Sequence, residues 1–388
     1  MLRAESREMF SEQITSNGGY IMSQKFTVST KPLIDGLNLG ILNANISNFF
    51  QRSTMAQVTA NKNSLIINLE AAFIYSEVEF KGMGTEDTSS TIFVSSSLLK
   101  QLVSTFEAST TTFEFDESGL ILHSGKSKFT LPKVIDADMT FQRPGSLSSD
   151  IIDIKKEDWK FIKDYQLYAI AMSFVHPVYT KAWCGESGDV LVGDFDIGLF
   201  THSKKGNLRR TCLLSDTIIN LITSLPEGAK MYKAENSYIV HVKTDGFTFT
   251  SEFEPKYESD EDMGSYNADM ILSIMNVDGE SVKVNVAAIM KILNQADLLS
   301  TKSEDSIKLS VSTGQITFTD VNVNCSIPAE GTITNPYSVE FNIDSLKKVM
   351  SNCSEDVVSI FAAQNEGEVS GITIFSKDLI TSIAAVEE

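Results

Sequence analysis

Two hydrophobic periods alternate along this chain. Residues 96–130 show the pattern most clearly. Leu98, Leu99, Leu102, Val103 and Phe106 fall at helical spacing, and the next apolar positions alternate singly with polar ones, through Thr112, Phe113, Glu114 and Phe115. Glu117-Ser118-Gly119 is a turn signal, Leu120–Leu122 a second strand, and Lys128, Phe129, Thr130 and Leu131 a third. The same order, helix then strands, returns at residues 215–251 (helix SDTIINLITSL) and again at 343–383 (helix IDSLKKVMSNC). Leu98 to Ile218 is 120 residues and Ile218 to Leu346 is 128, so the chain reads as a threefold internal repeat.

Each repeat divides further. Residues 25–29 alternate as a strand and 31–43 form an amphipathic helix, with Thr30 as N-cap, Pro32 in the first turn and Ile34, Leu37 and Ile41 on one face. Gly36 and Gly40 count against that helix. Strands at 55–60, 64–69 and 73–80 complete a first half, and 91–131 is a second. A strand at 150–154, a helix at 156–168 and strands at 181–184, 189–192 and 199–202 precede the second repeat's other half. A strand at 281–284, a helix at 285–299 and strands at 307–312, 315–320 and 323–327 do the same in the third. The reading is an α+β chain of three similar domains, each made of two strand–helix–strands halves, with helices on one side and sheets on the other. Pro144-Gly145 and the acidic EFEPKYESDEDMG mark the linkers. Domains are expected at 22–145, 146–264 and 265–388. Residues 1–21 are polar and unpatterned, a leader expected to be disordered. Gly18-Gly19 stands where a translated ribosome-binding sequence would, which makes Met22 the expected native start.

Composition narrows the function. The 388 residues are 42% hydrophobic, with only 8 prolines, enough for buried cores and long strands. No apolar run is long enough to span a bilayer, so the protein is expected to be cytoplasmic, without a membrane partner. Cys184, Cys212, Cys325 and Cys353 lie far apart without a CxxC pair, and the four histidines are scattered, so neither a metal nor another cofactor is expected. A net charge of −19 excludes a simple basic nucleic-acid binder, but not a protein that sets a few lysines on one inner surface. Gly125-Lys126-Ser127 is not a phosphate-binding loop: Gly119 is one residue too far away, and a strand follows where a helix is required. No nucleophile elbow or paired-carboxylate constellation is present, and Asp194 and Asp196 read as turn residues, so no enzyme is expected.

The threefold layout, together with LILHSGKSKFTLPKVIDADMTFQRP at residues 120–144, resembles the bacterial-type DNA sliding clamp, the β subunit of DNA polymerase III. The resemblance is specific over 120–144 and looser elsewhere. It implies a homodimeric ring of six domains with helices facing the hole, duplex DNA threaded through, and polymerase and clamp loader docked by short hydrophobic peptides between the second and third domains. The candidate DNA-facing residues are Lys156, Lys160 and Lys163, at i, i+4 and i+7 on one helix face that is equally readable as a plain solvated face beside Glu157 and Asp164, then Lys31, Lys100, Lys291, Lys347 and Lys348 on the other helices. The loop with Lys204, Lys205, Arg209 and Arg210 could touch DNA from a rim or be a plain exposed hairpin. The implied peptide groove takes in Leu191, Val192, Ile197, Leu199, Pro255, Tyr257, Ile380, Ile383 and Val386. Here the chain departs from the family: VLVGDFDIGLF at 190–200 lacks its Thr-Asp-Gly-His-Arg-Leu passage and the C-terminus lacks its Met-Pro tail, which suits a divergent, phage-encoded clamp. Ring closure is expected through edge strands, 73–80 or 113–115 against 308–311 or 317–319. The rival reading is a β-rich virion or tail component that builds a ring without sliding on DNA.

Overall fold

The computed structural model describes residues 24–40, 55–71, 74–85, 89–134, 141–153, 159, 181–194, 198–255, 266–299, 306–353, 355–365, 368–377 and 379–386. Among these lie six helices: α1 (Thr30–Gly40), α2 (Ser96–Ser104), α3 (Asp216–Ser224), α4 (Ala268–Met275), α5 (Val286–Leu299) and α6 (Ile343–Ser351). Local chemistry starts several of them. Ser95 caps α2 by accepting the Leu98 N–H, Asn267 caps α4 by accepting from Met270, and Asn342 caps α6 by accepting from Ser345. Thr30, expected as the cap of α1, is instead its first residue, with its hydroxyl 2.9 Å from that of Thr111.

The strands form four sheets. The first runs Met83–Gly84, Lys25–Ser29, Thr110–Asp116, Gly119–Ser124, Ser127–Pro132. The fourth, at the other end of the sequence, runs Asn324–Pro328, Gln315–Thr319, Ser306–Ser312, Tyr337–Asn342. Between them lie two eight-stranded sheets, each joining strands of two successive repeats. In one, Ile74–Lys81 of the first repeat pairs antiparallel with Phe247–Phe253 of the second. In the other, Leu199–Ser203 of the second pairs antiparallel with Leu379–Ala384 of the third. At each seam the last strand of one repeat's first half meets the last strand of the next repeat's second half. A buried hydroxyl pair sits on each: Ser76 with Ser251 at 2.8 Å, and Thr201 with Thr381 at 3.3 Å.

The strands expected to close a ring are all interior. Ile74–Lys81 is already paired on both sides, as are Thr110–Asp116, Ser306–Ser312 and Gln315–Thr319. Each terminal sheet has the last strand of a half-repeat at one edge, Ser127–Pro132 in the first and Asn324–Pro328 in the fourth; their other edges are Met83–Gly84 and Tyr337–Asn342. Sequence periodicity assigns a strand's faces but not its neighbours, because pairing is settled by distant parts of the chain.

One face of each sheet packs on helices. Phe26, Phe80, Phe113 and Phe249 are fully buried with Leu33 and Leu37 of α1. The glycines of α1 are there for proximity: a Cβ on Gly36 would stand 2.7 Å from Phe80 Cε1, and one on Gly40 2.8 Å from Leu69 Cδ1. Helix propensity favours alanine over glycine by about 1 kcal/mol, but the added methyl must push aside a buried ring in a close-packed core. Gly36→Ala is therefore expected to destabilise the fold by about 1–2 kcal/mol net, read as a lower urea midpoint at unchanged slope. A raised midpoint would show that α1 stands further off the sheet.

Candidate functional site

Helices α1, α2 and α3 come together around an open hollow of about 550 Å³, lined by Asp35, Asn38 and Leu39 of α1, Lys100 of α2 and Ser224 of α3, with Pro226, Thr244 and Phe247. At the other end of the chain α5 and α6 pack together, and Lys347 Nζ lies 2.5 Å from Asp297 Oδ2 across them. A second hollow of about 360 Å³ there is lined by Met290, Asp344, Lys347, Lys348 and Ser351.

These five helices carry five lysines (Lys31, Lys100, Lys291, Lys347, Lys348) against four aspartates (Asp35, Asp216, Asp297, Asp344). Their sum is close to neutral in a chain whose net charge is −19. Lys31 is exposed and paired with Asp35 one turn on at 2.9 Å. Lys100 is half-buried, and burial lowers its pKa. Lys291 is exposed. Lys156, Lys160 and Lys163 lie outside the described residues, although Trp159 among them is helical and buried.

The loop at 204–210 divides in two. Lys204 and Lys205 are exposed. The arginines are tied into the protein: Arg209 pairs with Asp150 at 2.7 Å and donates to the Ile151 carbonyl, while Arg210 donates to the carbonyls of Ala234 and Glu235 with its guanidinium 5.5 Å from the Tyr238 ring centroid. Tyr238 Oη donates to the Leu208 carbonyl at 3.0 Å. The loop is thus a clasp on the second repeat.

The residues expected to line a peptide groove are separated by strand alternation. Val192, Leu199 and Ile383 point into the main core and are buried there. Leu191 and Ile380 point to the opposite face of the same sheet, into a separate small core with Phe200, Leu213 and Trp183. Pro255 is buried, Val386 is exposed with its N–H bonded to the Glu340 carbonyl, and Ile197 and Tyr257 lie outside the described residues. What covers this second core is α4 with Tyr266, through Ala268, Ile271 and Met275. Sequence reading missed Trp183, Phe200, Leu213 and α4. The signal was present: Cys212-Leu213-Leu214 and Leu199-Phe200 are apolar on both faces, which requires a cover on each side.

Among the described residues no three His, Cys, Asp or Glu side chains are grouped to hold a metal, and no helix is long and apolar enough to cross a membrane. Tyr337 is half-buried, and desolvation pushes its phenol up to about 12.

No protein-family model matches the sequence, and no curated protein does. Solved structures do match it. The Bacillus subtilis DNA polymerase sliding clamp aligns with a TM-score of 0.74 at 15% identity, covering 94% of this chain and 100% of that one. The Pseudomonas aeruginosa DNA polymerase III β subunit aligns at 0.71 with 14% identity and the same coverage. A Bartonella birtlesii sliding clamp bound to griselimycin aligns at 0.73 with 13% identity, again covering 94% and 100%. Over 94% of its length this chain has the fold of the DNA polymerase III β sliding clamps.

Proposed function

We propose that this chain is a DNA polymerase processivity factor: two copies close into a ring that encircles duplex DNA and tethers a replicative polymerase. It would work in the cytoplasm of a bacterial or phage-infected cell, with three domains at 22–145, 146–264 and 265–388. The observation that carries the reading is the relation between the two free edges. Asn324–Pro328 ends the first half of the third repeat and Ser127–Pro132 ends the second half of the first. They stand to one another as the strands at both closed seams do, provided the first repeat belongs to a second copy.

The edges match in detail. Ser127 closes a two-residue hairpin on Ser124, so Lys128 and Thr130 turn their backbone groups outward. Asp320 and Val323 exchange both backbone bonds, so Asn324 and Ser326 turn theirs outward. At the first closed seam Thr250, fourth in its strand, faces Glu77, fourth in its own. Thr130 and Ser326 are the middle outward positions of their strands, between Lys128 and Pro132 and between Asn324 and Pro328. In that register Thr130 and Ser326 exchange two hydrogen bonds, the Lys128 N–H donates to the Pro328 carbonyl, and the Asn324 N–H donates to the Pro132 carbonyl. Each proline falls where only a carbonyl is used. Phe129 and Leu131 then meet Cys325 and Ile327 on the core side. Exposed Lys126, Lys128 and Lys133 approach Asp320 and Glu330. Beside the second edge, Leu298, Leu299 and Val321 are 85%, 51% and 78% exposed, and Asn322 Nδ2 holds the group together by donating to the Leu299 carbonyl. Closure would cover that patch.

A ring needs little grip, since enclosure supplies retention. The near-neutral helix wall suits this: phosphates are held weakly, through water, and sliding is unhindered. The decisive experiment is retention on nicked circular against linearised duplex after loading by the cognate loader. Retention on the circle alone is expected, and equal loss from both would overturn the reading. Thr130→Pro or Ser326→Pro should weaken self-association by at least about tenfold, since each removes an outward N–H from the proposed closing pair. Sedimentation equilibrium would show monomers with unchanged circular dichroism, and a persistent dimer would place the interface elsewhere.

Charge effects should separate the wall from the clasp. Asp297→Asn releases Lys347 and is expected to steepen the salt dependence of binding to short duplex by about one unit of log–log slope. Arg210→Ala should leave that slope unchanged and lower stability by about 1–3 kcal/mol, because two charge-assisted bonds to carbonyls are lost. The opposite pattern would make Arg210 a DNA contact and Lys347 a purely structural one.

A further inference from the structure

A row of polar side chains runs across six strands on the outer face of the first closed seam. The strand registers set Gln57 opposite Asn68, Asn68 opposite Glu77, and Glu77 opposite Thr250 across the seam itself. Thr250 then stands opposite His241, and His241 opposite Lys230. Residues directly opposite in antiparallel strands share a face and lie within side-chain reach. Two links of the row are made: Asn68 Nδ2 donates to Gln57 Oε1 at 3.1 Å, and His241 Nδ1 lies 3.1 Å from Thr250 Oγ1. Glu77 stands between them.

Asn68 is 0% exposed, and among the described residues nothing donates to its Oδ1. A buried amide oxygen without a donor is costly. Glu77 is the neighbour placed to supply one, and only as a carboxylic acid, because a carboxylate accepts and never donates. Its surroundings favour the acid. Burial raises the Glu77 pKa, Arg143 opposes the rise, and Glu79 adds to it. Arg143 Nε is 3.9 Å from Glu77 Oε2 and its side chain is 62% exposed, so water screens its pull.

Arg143 belongs to the connection between the first and second repeats, which crosses this face. Phe141 is buried against Phe93, with ring centroids 5.7 Å apart. The Gln142 N–H donates to Glu70 Oε2 at 3.2 Å, and the Gly145 N–H to Glu252 Oε2 at 2.7 Å. The contact of Arg143 with Glu77 falls between these two anchors. Among the described residues, the other ionisable groups around Glu77 are Tyr75, Glu79 and Lys81 on its own strand, Glu70 on the strand beside it, and Glu252 and Glu254 across the seam. His241, Lys243 and Lys230 lie beyond, where burial and the two lysines lower the His241 pKa.

We infer that Glu77 is a proton-operated latch on the first seam. As a neutral acid it donates to Asn68 Oδ1 and joins the hydrogen-bonded row; as a carboxylate it turns to Arg143 and holds the connection across the face. The switch exchanges one proton with water. Both strands of the seam belong to one chain, so the inference involves neither DNA nor ring closure, and its failure and that of the ring reading are separate results.

By linkage, a carboxyl whose pKa is higher folded than unfolded adds stability that is full below the unfolded value and is lost as pH rises through the folded one. Glutamine keeps the donor at every pH. Glu77→Gln is therefore expected to raise the urea midpoint at about pH 7 and to leave it unchanged at about pH 4, where the parent is already protonated. At about pH 7, amide exchange over residues 141–145 should be at least about threefold faster in Glu77→Gln than in the parent, because Arg143 has lost its carboxylate. Exchange over Ile74–Lys81 and Phe247–Phe253 should be no faster. Arg143→Ala should reproduce the faster exchange of 141–145 without the raised midpoint. A lower midpoint for Glu77→Gln at about pH 7 would mean that Asn68 offers Nδ2 to an ionised Glu77, and would overturn the inference. Unchanged exchange over 141–145 would do the same. So would failure of Glu77→Gln to fold, since the seam would then require the carboxylate.

Discussion

An antiparallel sheet of four or five strands leaves a row of unpaired N–H and carbonyl groups at each edge, and the architecture here is organised by where those groups find partners. Six half-repeats end in six such strands. Four are satisfied within the chain, as Ile74–Lys81 with Phe247–Phe253 and Leu199–Ser203 with Leu379–Ala384. The two that remain belong to opposite ends of the sequence and carry complementary patterns. A repeat that satisfies its edges only through its neighbours cannot stop at an arbitrary number. It either closes with other copies or leaves a site for uncontrolled strand addition. The prolines at Pro132 and Pro328 narrow what can add there, since each offers an acceptor and no donor.

Charge is distributed in keeping with that geometry. A wall of helices near neutrality, inside a chain of net charge −19, neither binds phosphates strongly nor repels them strongly. Internal ion pairs set the balance as much as the lysine count does. Lys31 with Asp35 and Lys347 with Asp297 each lower the field that a passing phosphate would feel. In the ring proposed above, the acidic remainder would disfavour contact between DNA and the outer surface, and retention and mobility would have different origins, one topological and the other electrostatic.

Much of the fold was legible before coordinates. Helical and strand periods located five of the six described helices, and the spacing of Leu98, Ile218 and Leu346 exposed the repetition. Neighbour relations were not legible. Strands 73–80, 113–115, 308–311 and 317–319 look like edges because they alternate cleanly, yet an interior strand of an open sheet alternates in the same way. The site suffered from a related ambiguity. Val192, Leu199 and Ile383 are as apolar as Leu191 and Ile380, but strand parity sends the first three into the core and the other two to the opposite face. The arginines at 209 and 210 read as a basic run, and only tertiary contacts show their donors committed to Asp150, Ala234 and Glu235. Gly36 and Gly40 argued against a helix until the packing distance to Phe80 and Leu69 explained them.

The two closed seams differ on their outward side. Backbone pairing holds the repeats together, and the core-facing side chains are constrained by packing against helices. The outward positions on the same strands answer to neither requirement. At the first seam they are Glu, Thr and Tyr; at the second they are Phe200, His202, Ile380 and Ser382, half apolar and half polar, with α4 packed on the apolar ones. A seam is therefore a place where the surface differs, helix-free at one and covered by a helix at the other, over the same backbone pairing. The roof itself comes from the connection between the second and third repeats, which runs from Phe253 to Ser281 and carries α4 as an addition to the repeated pattern. A segment added there lies directly over the junction that it leads to.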